Sequence, residues 1–159
     1  MCFGANLFRS RDSLDVAKAS ARAGALTWHD AVAGDVAATA AIHGDVVLAR
    51  KDAPTSYHLA VTVDDAAQGI TDVVRGQDLF AATHIHRLLQ ALLALPVPRY
   101  HHHPLLTDDR GERLAKRAGS PTLASMRAEG TDGRALADQL RARALFSFTR
   151  PPDRATPHP

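Results

Sequence analysis

A short apolar strand followed closely by a long amphipathic helix constrains the fold of this chain more than any other feature. Residues 70–74 form a run rich in β-branched residues, and Arg75-Gly76 follows it. This pattern is typical of a buried strand that is followed by a loop. The next segment has Asp78 or Thr83 as a candidate helix cap and five leucines at positions 88–95, and prolines follow it. This order predicts an α/β fold, in which ligands bind at the carboxyl ends of the strands.

Shorter elements are expected on the amino-terminal side of this unit. We predict a helix over 14–22 that ends at Gly24, and a strand over 45–50. Residues 57–63 fit either the start of a helix or a buried edge strand, because so short a run has no decisive period. The alanine-rich segment 31–41 is ambiguous for the same reason.

The sequence of the carboxyl-terminal part predicts one extended segment and two short helices. Residues 100–106 fit a short strand or extended chain, 123–128 a helix that stops at Gly130, and 133–144 a second helix. With 159 residues, of which 45% are hydrophobic, one domain is the default. We place a partial domain at 14–149, an unmatched segment at 1–13, and a disordered tail with four prolines at 150–159.

Charge and cysteine content exclude several classes of protein. Nineteen Lys and Arg against 17 Asp and Glu leave a formal charge of only +2, so this is not a polybasic nucleic-acid binder, although a few phosphate contacts to RNA stay compatible with it. The single Cys2 permits neither an internal disulfide nor a paired-cysteine zinc site. No apolar run approaches the roughly 20 residues of a membrane helix, and we expect a soluble cytoplasmic protein with no membrane partner.

Arg75 is the most informative single residue, because it follows an apolar strand directly. A guanidinium at a strand end can form a bidentate pair with the carboxylate of a ligand. It can equally form a structural salt bridge to Asp72 or Asp78. The residues alone leave both interpretations open.

Three consecutive histidines, at 101–103, suggest a metal site at first sight. Adjacent residues of an extended chain point to opposite faces, so only His101 and His103 could share an ion, and no acidic or cysteine partner lies at ligand spacing. We therefore expect no metal there. His102 is better interpreted as a hydrogen-bonding residue that orients a ligand or the backbone.

Two charged groups have both an ordinary and a functional interpretation. Asp64-Asp65 could be a metal or acid–base pair, but we favour a helix cap with one solvated neighbour. The loop 113–117 carries Arg113, Lys116 and Arg117, and it could hold a triphosphate or be a solvated basic loop.

The order of these segments resembles the glutamate-activating class I aminoacyl-tRNA synthetases. The motifs are GDVVLARKD (44–52), YHLAVTVDD (57–65), VVRGQDL (73–79), PRYHHHPL (98–105) and RLAKR (113–117), the last at the place of the family's KMSKS-type signature. The resemblance covers roughly residues 14–130. It implies the second half of a Rossmann-like catalytic domain, followed by short helices.

The resemblance also implies a reaction and a set of site residues. ATP, with Mg²⁺, would activate glutamate as an adenylate, and Tyr57 and Arg75 would contact the glutamate. Lys116 and Arg113 would be the catalytic residues of the signature loop, with Lys116 and His102 on the ATP side. Arg113 and Ala115 replace the family's first lysine and its serine, which keeps the charge but changes the geometry.

Within the family, the tRNA-independent glutamyl-Q subgroup is favoured, because little sequence follows the signature loop and because TWHD (27–30) resembles that subgroup. Its members transfer glutamate to queuosine in the anticodon loop of tRNA(Asp). The HIGH-type motif and the zinc-binding cysteines have no counterpart, so we expect a truncated chain, with a missing N-terminal half as a further partner. The alternatives are a fragment of an ordinary glutamate-tRNA ligase and a non-catalytic remnant that binds glutamate or nucleotide.

Overall fold

The computed structural model describes residues 8–10, 13–49, 55–106 and 121–142. The chain consists of two compact units, residues 1–103 and residues 104–159, and each is described by itself. The elements of the first unit follow one another as β1 (Phe8–Ser10), β2 (Ser13–Leu14), α1 (Val16–Ala23), β3 (Thr27–Asp30), β4 (Gly34–Ala37), β5 (Val46–Val47), α2 (Tyr57–Ala67), β6 (Asp72–Gly76), α3 (Phe80–Leu93) and β7 (Arg99–His103). Short 3-10 turns at Ala40–His43 and Gln77–Leu79 complete it.

A four-stranded sheet in the order β4-β3-β7-β6 organises this unit. Strands β3, β7 and β6 run parallel, and β4 returns antiparallel to β3. A smaller antiparallel sheet has the order β1-β2-β5. The α/β expectation is confirmed, and the parallel strands bring their carboxyl ends to one edge of the sheet.

Local signals explain where the helices begin and end. The Asp15 side chain accepts a hydrogen bond from the Lys18 N–H at the start of α1, and Gly24, with φ of 74°, ends the helix as predicted. The Ser56 hydroxyl accepts from Leu59 N–H, so residues 57–63 begin a helix and are not an edge strand. Helix α3 ends at Ala94, which adopts a left-handed φ of 53°.

The core lies between α1 and α3. Amphipathic spacing places the apolar face of each helix against the other, and the buried cluster also takes in one residue of β2, one of the first 3-10 turn and one that follows β5. Its members are Leu14, Val16, Ala19, Ala40, Leu48, Ile85, Leu88 and Leu89.

Four sequence expectations need correction. The strand predicted over 70–74 is β6, which lies at an edge of the four-stranded sheet with Val74 43% exposed, so it is not a buried strand. Leu79, which forms no side-chain cap hydrogen bond, occupies the N-cap of α3, so neither Asp78 nor Thr83 caps that helix. The strand over 45–50 is confined to β5. The pair Asp64-Asp65 lies in the second half of α2 and caps nothing at its start.

The second unit contains helices α4 (Leu123–Ala128) and α5 (Gly133–Ala142) in its described part. Reciprocal hydrogen bonds between Thr122 and Ser125 cap α4, and Gly130 follows it with a φ of 89°. Both helices start where the sequence predicts. In the described residues no helix is long and apolar enough to cross a membrane.

Candidate ligand site at the carboxyl edge of the parallel strands

The three parallel strands end in polar side chains that meet at one edge. Arg75 near the end of β6 is the registered neighbour of His102 on β7. Asp30 is the last residue of β3, on the other side of β7. Because parallel strands align their carboxyl ends, three distant segments of sequence supply one polar group.

Arg75 is held by hydrogen bonds to three neutral acceptors. Its Nε donates to His102 Nε2 over 3.0 Å, one terminal nitrogen donates to His86 Nδ1 over 3.2 Å, and the other donates to the Thr83 hydroxyl. The guanidinium carbon also lies 5.1 Å from the centre of the Tyr100 ring, within cation–π range. No carboxylate accepts a hydrogen bond from this guanidinium in the described residues, although Asp65 lies close enough for the two charges to interact.

The protonation of His102 follows from these contacts. Arginine can only donate, so the Nε2 that faces Arg75 must carry a lone pair. The proton therefore resides on Nδ1, which donates to Asp30 Oδ2 over 2.7 Å. Burial lowers the pKa of His102, and the charge of Arg75 adds to this against the opposing effect of Asp30, so the imidazole is neutral near pH 7.

Asp30 is buried and fully engaged, with a relative exposure of 1%. Its Oδ2 accepts from the backbone and the imidazole of His102, and its Oδ1 accepts from the backbone N–H groups of Val32 and Ala33, both at 2.9 Å. Burial alone would raise the pKa of Asp30, but these hydrogen bonds outweigh it and lower the pKa. The carboxylate is thus charged and ties the β3–β4 turn to the end of β7.

A second arm runs from Arg75 towards α2. Because His86 Nδ1 accepts from Arg75, His86 Nε2 carries the proton and donates to His58 Nδ1 over 3.1 Å. Burial, together with the charge of Arg75 and the neighbouring histidines, lowers the pKa of His86 to about 3. Burial and Arg75 also lower the pKa of His58. Both rings are therefore neutral acceptors and donors near pH 7.

Aromatic rings enclose the imidazole of His102. Trp28 lies edge-on to Tyr100 and to His102, with ring centres 5.4 and 5.7 Å apart, and Phe80 lies 5.0 Å from His102. Tyr100 stacks on His102 at 14° and accepts a hydrogen bond from Gln90 over 3.0 Å. This apolar surround excludes water, so each polar contact inside it is stronger than it would be on the surface.

Tyr57 lies beside the two histidines of this second arm. It is the first residue of α2, is 51% exposed, and contacts the rings of His58 and His86 edge-on, at 5.7 and 5.8 Å between centres. A cavity of about 550 Å³ opens beside it and reaches the loops around β5; its lining is Asp45, Val46, Val47, Thr55, Ser56, Tyr57 and His58. The two residues that the resemblance assigns to glutamate, Tyr57 and Arg75, are thus both in contact with His86.

The other candidate residues of the sequence are Asp72, Asp65 and those of the signature loop. Asp72 pairs with Arg99 over 2.8 Å, so it is not the structural partner of Arg75. Asp65 is half-buried; burial raises its pKa, which the charge of Arg75 offsets in part. Among the described residues, no three His, Cys, Asp or Glu side chains are grouped so as to hold a metal ion. Arg113 and Lys116 lie outside the described residues.

Four contributors to the site were not recognised in the sequence as site residues: Asp30, His58, Thr83 and His86. Asp30 could have been found by the argument that identified Arg75, since it is a charged residue at the end of a strand. The two histidines could not, because they meet only through the packing of α2 on α3.

Comparison with known proteins gives concordant matches. The family model described as tRNA synthetases class I (E and Q), catalytic domain, matches residues 15–149. The Glutamyl-Q tRNA(Asp) synthetase of Rhodobacter capsulatus is 64% identical over 87 residues, which are 55% of this chain and 31% of that protein. The one from Deinococcus radiodurans is 46% identical over 114 residues, 71% of this chain and 39% of that protein.

Solved structures agree in fold. The glutamate-tRNA synthetase from Elizabethkingia anophelis superimposes with a TM-score of 0.52 and 28% identity, over 60% of this chain and 20% of that one. The chain spans about a third of the length of the curated relatives described above.

Proposed function

The chain belongs to the family of class I tRNA synthetases for Glu and Gln, and on that premise we propose that it serves ATP-dependent activation of glutamate and transfer of the glutamyl group to queuosine in the anticodon loop of tRNA(Asp). In this proposal it supplies the second half of the catalytic domain. The relatives named glutamyl-Q tRNA(Asp) synthetase, at 64% and 46% identity, support the choice of reaction.

One observation carries the glutamate side of the proposal: the guanidinium of Arg75 has neutral hydrogen-bond partners only. Of its five N–H groups, three are bonded to His102, His86 and Thr83. Two remain, within the described residues, for a bidentate pair with a carboxylate. A cation that is held rigidly by neutral acceptors and partly shielded from water is suited to select glutamate over an amide.

Tyr57 completes the glutamate side. Its ring packs on His86, which holds the guanidinium, and about half of its surface faces solvent at the cavity. A glutamate bound to Arg75 would therefore lie within reach of the Tyr57 side chain. The relation supports the assignment of both residues to the amino acid.

The ATP side rests on the signature loop. We propose that Arg113 and Lys116 contact the phosphates, with Mg²⁺, and offset the charge that develops on pyrophosphate as it leaves. His102 is 4% exposed and bonded at both ring nitrogens. The role that we propose for His102 on the ATP side is therefore to orient the neighbouring groups, because its ring links Asp30 on β3 to Arg75 on β6.

A chimera tests the proposal, since the chain spans about a third of its relatives. In it, this chain replaces the matching segment of the Rhodobacter capsulatus relative, and glutamate-dependent exchange of pyrophosphate into ATP is measured. We expect exchange with glutamate, little with glutamine, and loss of exchange in an Arg75→Ala version. A folded chimera without exchange, beside an active parent enzyme, would refute the enzymatic role.

An ordinary glutamate-tRNA ligase is the second candidate, because the structural neighbours carry that name at 28% identity. Charging with labelled glutamate separates the two. Label on tRNA(Asp) that contains queuosine supports the first candidate, whereas label on tRNA(Glu) supports the second. Binding of glutamate by the chain without exchange in the chimera would indicate the non-catalytic remnant.

A further inference from the structure

Asp30 makes more hydrogen bonds than a turn residue needs. Its Oδ1 accepts from Val32 and Ala33, which is the ordinary cap of the β3–β4 turn. Its Oδ2 accepts from both the backbone N–H and the imidazole of His102, at 3.1 and 2.7 Å. The second pair of bonds adds nothing to the turn, and it reaches the ring that holds Arg75.

The imidazole of His102 can hold Arg75 in one tautomer only. Nε2 accepts from Arg75 Nε at 3.0 Å and lies 3.2 Å from the Thr83 hydroxyl. If the proton moved to Nε2, it would point at the Arg75 Nε–H, and Nδ1 would present a lone pair to the Asp30 carboxylate. Both contacts would then be repulsive, so the charge on Asp30 selects the tautomer that Arg75 requires.

We propose that Asp30 is a positioning residue for the glutamate site: it fixes the His102 tautomer, and through it the direction in which the Arg75 guanidinium points. The inference rests on the proposed function in that the guanidinium is taken to bind the glutamate carboxylate. The tautomer itself, however, is a property of this chain and does not depend on any substrate.

The tautomer is measured first, on the chain as it exists. Long-range nitrogen–proton couplings in a ¹⁵N-labelled sample distinguish an Nδ1–H imidazole from an Nε2–H one, and the spectrum of His102→Gln identifies the signals of His102. We expect the Nδ1–H form in the unsubstituted chain, and its loss in Asp30→Asn, because an amide can donate to Nδ1. An Nε2–H form in the unsubstituted chain, or the same Nδ1–H form in both proteins, would overturn the proposal.

Glutamate affinity, measured by calorimetry, is the second readout. We expect Asp30→Asn to weaken binding by about ten- to a hundredfold, since a hydrogen bond to a charged group is lost from the holder of Arg75. Asp35→Asn is the matched control, because Asp35 forms the same kind of pair with His29 over 2.8 Å, but with both side chains exposed. It should leave glutamate affinity within twofold.

A double-mutant cycle separates positioning from mere capping of the turn. A glutamine at position 102 can offer an acceptor oxygen to Arg75 without any choice of tautomer, so Asp30→Asn should cost less than about threefold in the His102→Gln background. An equal loss of glutamate affinity in both backgrounds would assign Asp30 to the turn alone and refute the proposal.

Two contingencies leave the inference testable. If Asp30→Asn fails to fold, His102→Gln is compared with His102→Leu. Because Arg75 Nε–H donates to His102, we expect it to be protected from hydrogen exchange, and only the leucine variant should lose this protection and the glutamate affinity. Equal behaviour of the two variants would overturn the proposal. If the unsubstituted chain binds no glutamate, the proposed function fails. The tautomer and the protection of Arg75 Nε–H in Asp30→Asn then still decide the positioning role.

Discussion

Arg75 and His102 face each other across a registered pair of β6 and β7, and the guanidinium Nε donates to the imidazole Nε2 over 3.0 Å. The two residues are 27 positions apart in sequence, but the hydrogen-bond register of the parallel strands fixes their separation. The site thus takes its rigidity from the sheet and not from a loop.

Arg75→Lys tests whether the planar fork matters beyond its charge. A lysine keeps the charge but cannot reach His102, His86 and Thr83 together while it also binds a carboxylate in a bidentate way. We expect glutamate affinity, measured by calorimetry, to fall by about ten- to a hundredfold.

Arg99→Lys is the control for that substitution, because Arg99 pairs with Asp72 at the amino-terminal ends of the same two strands, away from the site, and is 55% exposed. It should change glutamate affinity by less than about twofold. Equal losses in the two variants would mean that the site does not depend on the Arg75 fork.

Thr83→Val tests the acceptor inside α3. Thr83 is fully buried, accepts from Arg75 and lies 3.3 Å from the Leu79 carbonyl, whereas valine has the same shape without the hydroxyl. We expect the free energy of unfolding, from urea titration, to fall by about 1–3 kcal/mol, because a guanidinium N–H loses its partner.

The matched control is Thr62→Val, since Thr62 is also buried but donates only to the His58 carbonyl of its own helix. Its cost should stay below about 1 kcal/mol. A larger loss at Thr62 than at Thr83 would contradict the importance of the Arg75 contact.

Tyr57→Ala should separate binding from stability. Tyr57 is 51% exposed at the first position of α2, so its truncation should change the free energy of unfolding by less than about 0.5 kcal/mol. Glutamate affinity should nevertheless fall by about tenfold, if the side chain contacts the amino acid. Val63→Ala, on the same helix and 41% exposed, serves as the control that changes neither quantity.

Elements governed by local signals could be predicted from the sequence, whereas the pairing of the strands could not. Helix α4 starts after the Thr122 cap and stops before Gly130, both of which are local. Strand β4 (Gly34–Ala37) has no period of its own, and it exists because β3 supplies an antiparallel partner. The run at 70–74 is apolar, but nothing in it reveals that β6 has a neighbour on one side only.

The site divides in the same way. Arg75 could be identified because a charged residue directly follows an apolar strand. His102 could be identified as a hydrogen-bonding residue because side chains alternate between the two faces of a strand, which separates it from His101 and His103. The His86–His58 arm depends on how α2 packs on α3, which no local pattern encodes. The acidic pair Asp64-Asp65 was misjudged because the N-terminus of α2 lies earlier, at Ser56.

Lys116→Ala tests the signature loop, which lies outside the described residues. If Lys116 contacts the phosphates of ATP, the variant should lose about tenfold or more in ATP affinity and keep its glutamate affinity. Lys18→Ala is the control: Lys18 pairs with Asp15 on α1 with 65% of its side chain exposed. Loss of glutamate binding in Lys116→Ala, with ATP binding intact, would reverse the proposed division of the site.

Stability should rise with pH across the range in which His86 titrates. The pKa of His86 is about 3 in the folded chain, against 6.5 without the fold, so between these values the unfolded chain binds more protons. The free energy of unfolding therefore increases from about pH 3 to pH 6.5, and His86 alone can contribute on the order of 5 kcal/mol. His58, His84 and His102, whose pKa values burial also lowers, act in the same direction.

Substitution of His86 by asparagine isolates this contribution. Asparagine can keep an acceptor near Nδ1 for Arg75 but cannot be protonated, so His86→Asn should flatten the rise in unfolding free energy between pH 4.5 and 6.5, measured by urea titration at several pH values. Burial raises the pKa of Asp65, so the titration of Asp65 opposes the trend. Asp65 is present in both proteins, and its contribution therefore cancels in the comparison. Parallel pH profiles for the two proteins would show that protonation of His86 is not what destabilises the site in acid.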